Sequence, residues 1–239
     1  KKIFFSFWTF HFITMITNTW ATQAELMVEQ SMTMKGEKRK THIFKERNPS
    51  YIVLKATIIA EVFPRAFILI GDDAVKHLNH YFANTGRNYK IDLEGMVKEV
   101  PSAKKLYELE VAQAKAYAET LPVGRHWITS RRVQGGYNSE HENKNWFFAV
   151  GGYSVWGKGQ VMVKTSGAGT QYEMNFEYKF FDRYNWDAGK KVNILGIEIT
   201  DAFMGEFHKQ GLAREYDEIG SFHRRFTWNA GQPIPSNQY

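Results

Sequence analysis

Asp182, Asp187, Asp201, His208, Arg214, Glu215, Tyr216, Asp217, His223, Arg224 and Arg225 fall within one short C-terminal stretch of the chain. A carboxylate beside an imidazole performs acid–base chemistry near neutral pH. A guanidinium holds a phosphate through two parallel hydrogen bonds. Two or three carboxylates recruit Mg²⁺ or Ca²⁺, which prefer oxygen ligands. Together these groups form the equipment of a phosphate-ester or pyrophosphate hydrolase. Asp182 and Asp187 are the candidate metal ligands, and Arg214 and Tyr184 the candidate substrate-binding residues. The competing reading is local structure: Asp217 and Arg214 in caps or ion pairs, and His223 solvated on a strand. Elsewhere the sequence has no phosphate-binding glycine loop, dinucleotide fingerprint, HExxH or GxSxG. Ser102-Ala103-Lys104-Lys105 has an SxxK spacing, but it opens a helix, and capping explains it better.

One spacing is sharper. Tyr216-Asp217, then five residues, then His223-Arg224 resembles the Asp-x-Tyr-Asp-x5-His-Arg signature of colicin M-like bacteriocins. The leading Asp of that signature falls on Arg214, and Asp182-Arg183-Tyr184-Asn185 repeats only its first half. The resemblance implies an open, barrel-like catalytic sheet. It also implies cleavage of lipid II, a pyrophosphate-linked peptidoglycan precursor, between lipid and pyrophosphate in the bacterial periplasm. A divalent cation (Mg²⁺ or Ca²⁺) and a cognate immunity protein are expected with it. Asp217 would then activate water together with Asp182, His223 would be the general acid or base, Arg224 would bind pyrophosphate, and Tyr216 would complete the catalytic set.

These groups need elements to position them. Asp72 is expected to cap a helix over 73–84, and Ser102 a second helix to about 120. From Trp127 the pattern changes to period two. Strands are predicted at 146–150, 153–156 and 160–164, with turns at Gly151-Gly152 and 157–159 and a hairpin connection over 165–171. Tyr172, Met174, Phe176, Tyr178 and Phe180 alternate with Glu173, Asn175, Glu177 and Lys179, as a sheet with one wet face requires. A polar turn is expected at 182–190, a helix capped by Thr200 over 201–210, a last strand at 221–228, and a frayed tail from 229. The predicted fold class is α+β: N-terminal helices followed by an antiparallel, partly open, barrel-like sheet.

The chain has 239 residues, 43% of them hydrophobic and 15% aromatic, with no cysteine. Disulfide scaffolds, thiolate metal sites and cysteine nucleophiles are thereby excluded. Residues 1–70 hold ten Lys/Arg against five Asp/Glu; residues 71–239 hold twenty-one against twenty. The basic character thus belongs to the N-terminal part, which argues against a nucleic-acid-binding face in the rest. Residues 1–70 are expected to form an apolar, basic region and 71–239 the α+β domain with the site. Lys1-Lys2 followed by the apolar run Ile3–Ile16 resembles a secretory signal. Tyr51–Ile70 reads as two buried strands, or as a helix and a strand, because three charges and Pro64 oppose a membrane span. The expected partners are a lipid-linked precursor and a membrane surface, with no nucleic acid. Alternatives from other classes are a non-catalytic membrane-active toxin or surface-binding module, and a nuclease toxin.

Overall fold

The computed structural model describes residues 20–22, 47–62, 64, 68, 70–136, 141–186, 191–194 and 197–239. The signal-like run and most of the basic segment at 35–49 lie outside the described residues, as does Asp187.

In chain order, β1 is Trp20–Thr22 and α1 is Pro49–Thr57, continued by a wider π turn over Ile58–Val62. Then come α2 Asp72–Phe82, β2 Tyr89–Lys90, α3 Leu93–Glu99 and α4 Pro101–Ala118. β3 Gly124–Ser130, β4 Val133–Gly135 and α5 Lys144–Ala149 follow. The long strands β5 Tyr153–Ser166 and β6 Gly169–Tyr184 form a hairpin. β7 Lys191–Ile194 pairs with β8 Ile197–Thr200. α6 Asp201–Lys209 and β9 Tyr216–Asn229 complete the frame. The main sheet runs β1-β3-β5-β6-β9-β2, with β4 also on β5. Its ends do not meet, so the α+β fold has an open sheet. All its pairings are antiparallel except the short parallel join of β2 to β9.

The alternation in β6 does what its pattern requires. Tyr172, Met174, Phe176, Tyr178 and Phe180 enter the main core with Val155, Val161 and Val163 of β5 and Phe222, Phe226 and Trp228 of β9. α4 closes that core with Ala103, Tyr107, Val111, Ala114 and Ala118. Glu110 lies on the same helix face and is buried. Its carboxylate accepts the Ser130 hydroxyl and, at 2.9 Å, the Gly157 backbone N–H. Burial pushes its pKa up to about 7, against the pull of those two donors. A second core gathers Tyr81 and Phe82 of α2, Tyr184, Met204 and Phe207 of α6, and Tyr216.

Several boundaries differ from the sequence reading. The segment at 146–149 is helical, with Val150 extended: the Asn143 side chain accepts from the Trp146 N–H at 3.1 Å and starts a short helix. The glycines at 157 and 159 are not a turn but lie inside β5. A Cβ at Gly159 would come within 2.4 Å of the Asn175 carbonyl oxygen, so glycine is required there by the close approach of β6. β6 runs on through Tyr184 instead of turning at Asp182, and β9 begins five residues early because Tyr216 and Tyr184 pair and stack. Gly71 and Val100, not Asp72 and Ser102, cap their helices. Ser102 instead donates through its N–H and hydroxyl to Glu142 at 2.5 and 2.9 Å. The segment from 51 is a helix followed by the π turn, not paired strands. The tail is docked: the Gln238 side chain accepts the Thr227 N–H at 2.7 Å, and the Tyr239 ring packs 5.7 Å from Phe226. Thr200 caps α6 as expected, accepting the Phe203 N–H at 3.1 Å.

Candidate functional site

β9 decides where the sequence-selected residues point. Successive side chains of a strand leave on opposite faces. Tyr216, Glu218, Phe222 and Arg224 therefore face inward, and Asp217, Ile219 and His223 outward, in agreement with their burial. Asp217 and His223 share a face but are six positions apart, about 20 Å along an extended strand. His223 is exposed and sits opposite Glu177. Arg224 leaves on the other face, donates to Glu94 of α3 at 2.9 Å and lies over the Phe222 ring. That guanidinium, with Lys98, holds the Glu94 carboxyl down at about 2. Tyr216 is fully buried, donates its hydroxyl to the His77 carbonyl at 2.9 Å and stacks on Tyr184 at 4.8 Å. Burial raises both phenols far above their ordinary range. Arg214 is exposed beside Gly86, and its N–H donates to the Tyr81 carbonyl at 3.0 Å. Asp182 faces Glu218 across the ladder and accepts the Arg183 N–H at 2.7 Å. Asp217, His223, Arg224 and Tyr216 thus do not converge.

A different set does. In the β6–β9 register Arg183 stands opposite Asp217. Its Nη1 contacts Asp217 Oδ1 at 2.8 Å, and its Nη2 lies 3.8 Å from Glu215 Oε2. Glu215 Oε2 is also 3.9 Å from Nε2 of His208, at the end of α6. The Glu215 N–H points at His208 Nδ1 at 3.4 Å, which leaves the neutral ring's proton on Nε2, toward the carboxylate. Arg183 and Asp217 are partly exposed, whereas Glu215 and His208 are nearly buried. Two carboxylates, an imidazole and a forked guanidinium therefore meet at the open end of the long hairpin. The solvent-facing pair can reach a substrate, and the buried pair orients it.

Arg183 was not among the residues selected from sequence. It enters the site as the cross-strand partner of Asp217. That partner is unknown until the register of two distant strands is fixed.

Behind this edge lies a sealed pair. His77 Nδ1 of α2 is 2.6 Å from Glu218 Oε1 and 2.8 Å from the Ala149 carbonyl oxygen. Burial pushes the Glu218 carboxyl up, against the opposing pull of His77 and Tyr216. The pair ties α2 and α5 to β9 one residue from Asp217.

The fit to a divalent cation is poor among the described residues. No group of three or more His, Asp or Glu side chains there is arranged to hold a metal. Asp217 and Glu215 already face the Arg183 guanidinium, which a cation would have to displace.

No protein-family model and no curated protein sequence matches the chain. Three similar solved structures are bacteriocins. PaeM, a colicin M-like bacteriocin produced by Pseudomonas aeruginosa, aligns with a TM-score of 0.36 at 14% identity over 67% of this chain and 52% of that one. Truncated syringacin M from Pseudomonas syringae gives 0.34 at 15% identity over 67% and 61%. Pectocin M2 gives 0.28 at 13% identity over 78% and 64%. The chain spans between half and two thirds of each of these. The roles of the site residues therefore rest on the chemistry of this chain's own side chains.

Proposed function

We propose that this chain is a toxin-type antibacterial hydrolase that cleaves a pyrophosphate-linked lipid such as lipid II, at the Arg183–Asp217–Glu215–His208 edge. The observation that carries the proposal is the Arg183 guanidinium forked between two carboxylates at the solvent-facing end of the sheet. A diphosphate competes for that fork, taking the two parallel N–H donors. Arg183 then stabilises the charge on the phosphorus oxygens, and the released Asp217 carboxylate accepts a proton from the water that attacks the lipid-proximal phosphorus; the phosphorus–oxygen bond to the lipid breaks, and that proton passes to the lipid oxygen, which leaves as the alcohol. Glu215 and His208 act as positioning residues that keep Arg183 aimed. No step is routed through a cation. The same reading expects action in the periplasm, a lipid-linked cell-wall precursor as substrate and an immunity protein as partner.

The test is hydrolysis of detergent-solubilised lipid II by the purified chain, with and without chelator, read by chromatography of the released pyrophosphate-linked disaccharide. Asp217→Asn and Arg183→Ala are each expected to lower turnover by about 100-fold or more. Stability should change by no more than about 1 kcal/mol, because the pair is partly exposed. His223→Ala, some 20 Å away along β9, should retain activity. Loss of turnover in His223→Ala with full activity in Arg183→Ala would overturn this assignment. No cleavage by the parent chain would overturn the function itself.

A further inference from the structure

Arg132, on the connection between β3 and β4, is exposed, and its guanidinium carbon lies 4.6 Å from the Trp156 ring centroid and 4.9 Å from that of Phe181. Trp156 of β5 and Phe181 of β6 are half-buried on the wet face of the sheet. Rings from two neighbouring strands therefore hold one guanidinium in place. Stacking uses the flat face of the cation and leaves its in-plane N–H donors unspent. Among the described residues the Arg132 guanidinium has no carboxylate or hydrogen-bond partner. Other cations of the same face are paired: Arg183 with Asp217, Arg225 with Glu173, and Lys158 and Lys179 with Glu177.

The surroundings favour an anion. In the ladder, Ser154, Phe181 and Ile219 form one row of the wet face, and Trp156, Lys179 and Ser221 the next. Neither row carries a carboxylate, and Lys179 brings a second cation to 5.9 Å from the Trp156 ring centroid. An oxyanion arriving here meets a fork already oriented, so little freedom is lost on binding. The place is also continuous with the Arg183–Asp217 edge: Phe181 is two residues from Arg183 on the same face, roughly 7 Å along β6.

We propose that Arg132, clamped by Trp156 and Phe181 and assisted by Lys179, is an oxyanion-binding subsite that takes a phosphoryl or carboxylate group. In the reaction proposed above it binds a second anionic group of the molecule whose diphosphate Arg183 holds; that use rests on the proposed reaction, whereas the subsite does not. The experiment is labelling of the full chain with phenylglyoxal, which condenses with accessible guanidinium groups, read by peptide mass spectrometry. It is run without added anion, with inorganic phosphate, and with acetate, at equal ionic strength. Arg132 should be protected about 10-fold or more by a saturating anion, while Arg125, exposed at the far end of β3, labels at an unchanged rate. Protection by phosphate assigns the subsite to a phosphoryl group, and protection by acetate alone to a carboxylate. Trp156→Leu keeps apolar bulk but removes the better ring, and should raise the half-protecting concentration about 3-fold or more with circular dichroism unchanged. Arg132→Met keeps the stem over the rings and removes the fork. On detergent-solubilised lipid II it should raise KM about 10-fold and leave kcat near the parent's, a split that a merely structural contact would not produce. Equal labelling of Arg132 with and without both anions overturns the subsite, as does equal protection of Arg125. An unchanged KM in Arg132→Met overturns its use in the reaction. If no hydrolysis is seen with any protein, the labelling still decides the subsite by itself.

Discussion

Glu110→Gln tests the energetics of the fold directly. The Glu110 carboxyl is enclosed between α4 and the β3–β5 seam, where Ser130 and Gly157 donate to it. Its pKa is raised from 4.5 to about 7. A raised acid binds more protons folded than unfolded between those two values, so stability falls as pH rises through that window. The stabilisation is fully present below the unfolded value and lost above about 7. At 1.36 kcal/mol per unit, the 2.5-unit difference amounts to roughly 3 kcal/mol. Glutamine keeps the carbonyl acceptor for both donors and cannot ionise. The stability of Glu110→Gln relative to the parent should therefore rise by about 3 kcal/mol between pH 4.5 and 8, or roughly 6–12 °C in Tm for a chain of this size. Other raised carboxyls, Glu218 among them, titrate alike in both proteins and cancel in the difference. The assay is urea unfolding followed by far-ultraviolet circular dichroism at half-unit pH steps. Parallel pH profiles for parent and variant would refute the reasoning.

His77→Ala should cost about 3–5 kcal/mol, because it leaves the Glu218 carboxyl buried without its imidazole; adding Glu218→Gln should recover part of this, read from urea midpoints. Gly159→Ala should destabilise by about 1–3 kcal/mol, because the new Cβ collides with the Asn175 carbonyl, and amide exchange should quicken along β5 and β6.

The alternation from Tyr172 to Phe180 was legible because a half-buried strand writes its two faces into adjacent residues. Thr200 before α6 was equally legible, since a cap is a local contract between a hydroxyl and an N–H three residues on. The α+β class with an open sheet follows from such local signals. The short helix at Lys144–Ala149 was misread because Trp146, Phe147 and Phe148 have strand-like preferences, and a single Asn143 cap outweighed them. Gly157 and Gly159 looked like a turn because their close approach to β6 is invisible until the hairpin pairs.

The site divides in the same way. Sequence by itself determined that carboxylates, imidazoles and guanidiniums crowd the C-terminal third, and that Asp217 belongs among them. Only the tertiary structure decided which of them meet. The β6–β9 register set Arg183 against Asp217, strand phase turned Arg224 inward to Glu94, and α6 brought His208 to Glu215. The physical reason is that residue type and phase are local, whereas register is a property of two segments more than thirty residues apart that pair only when both bury their apolar faces in one core.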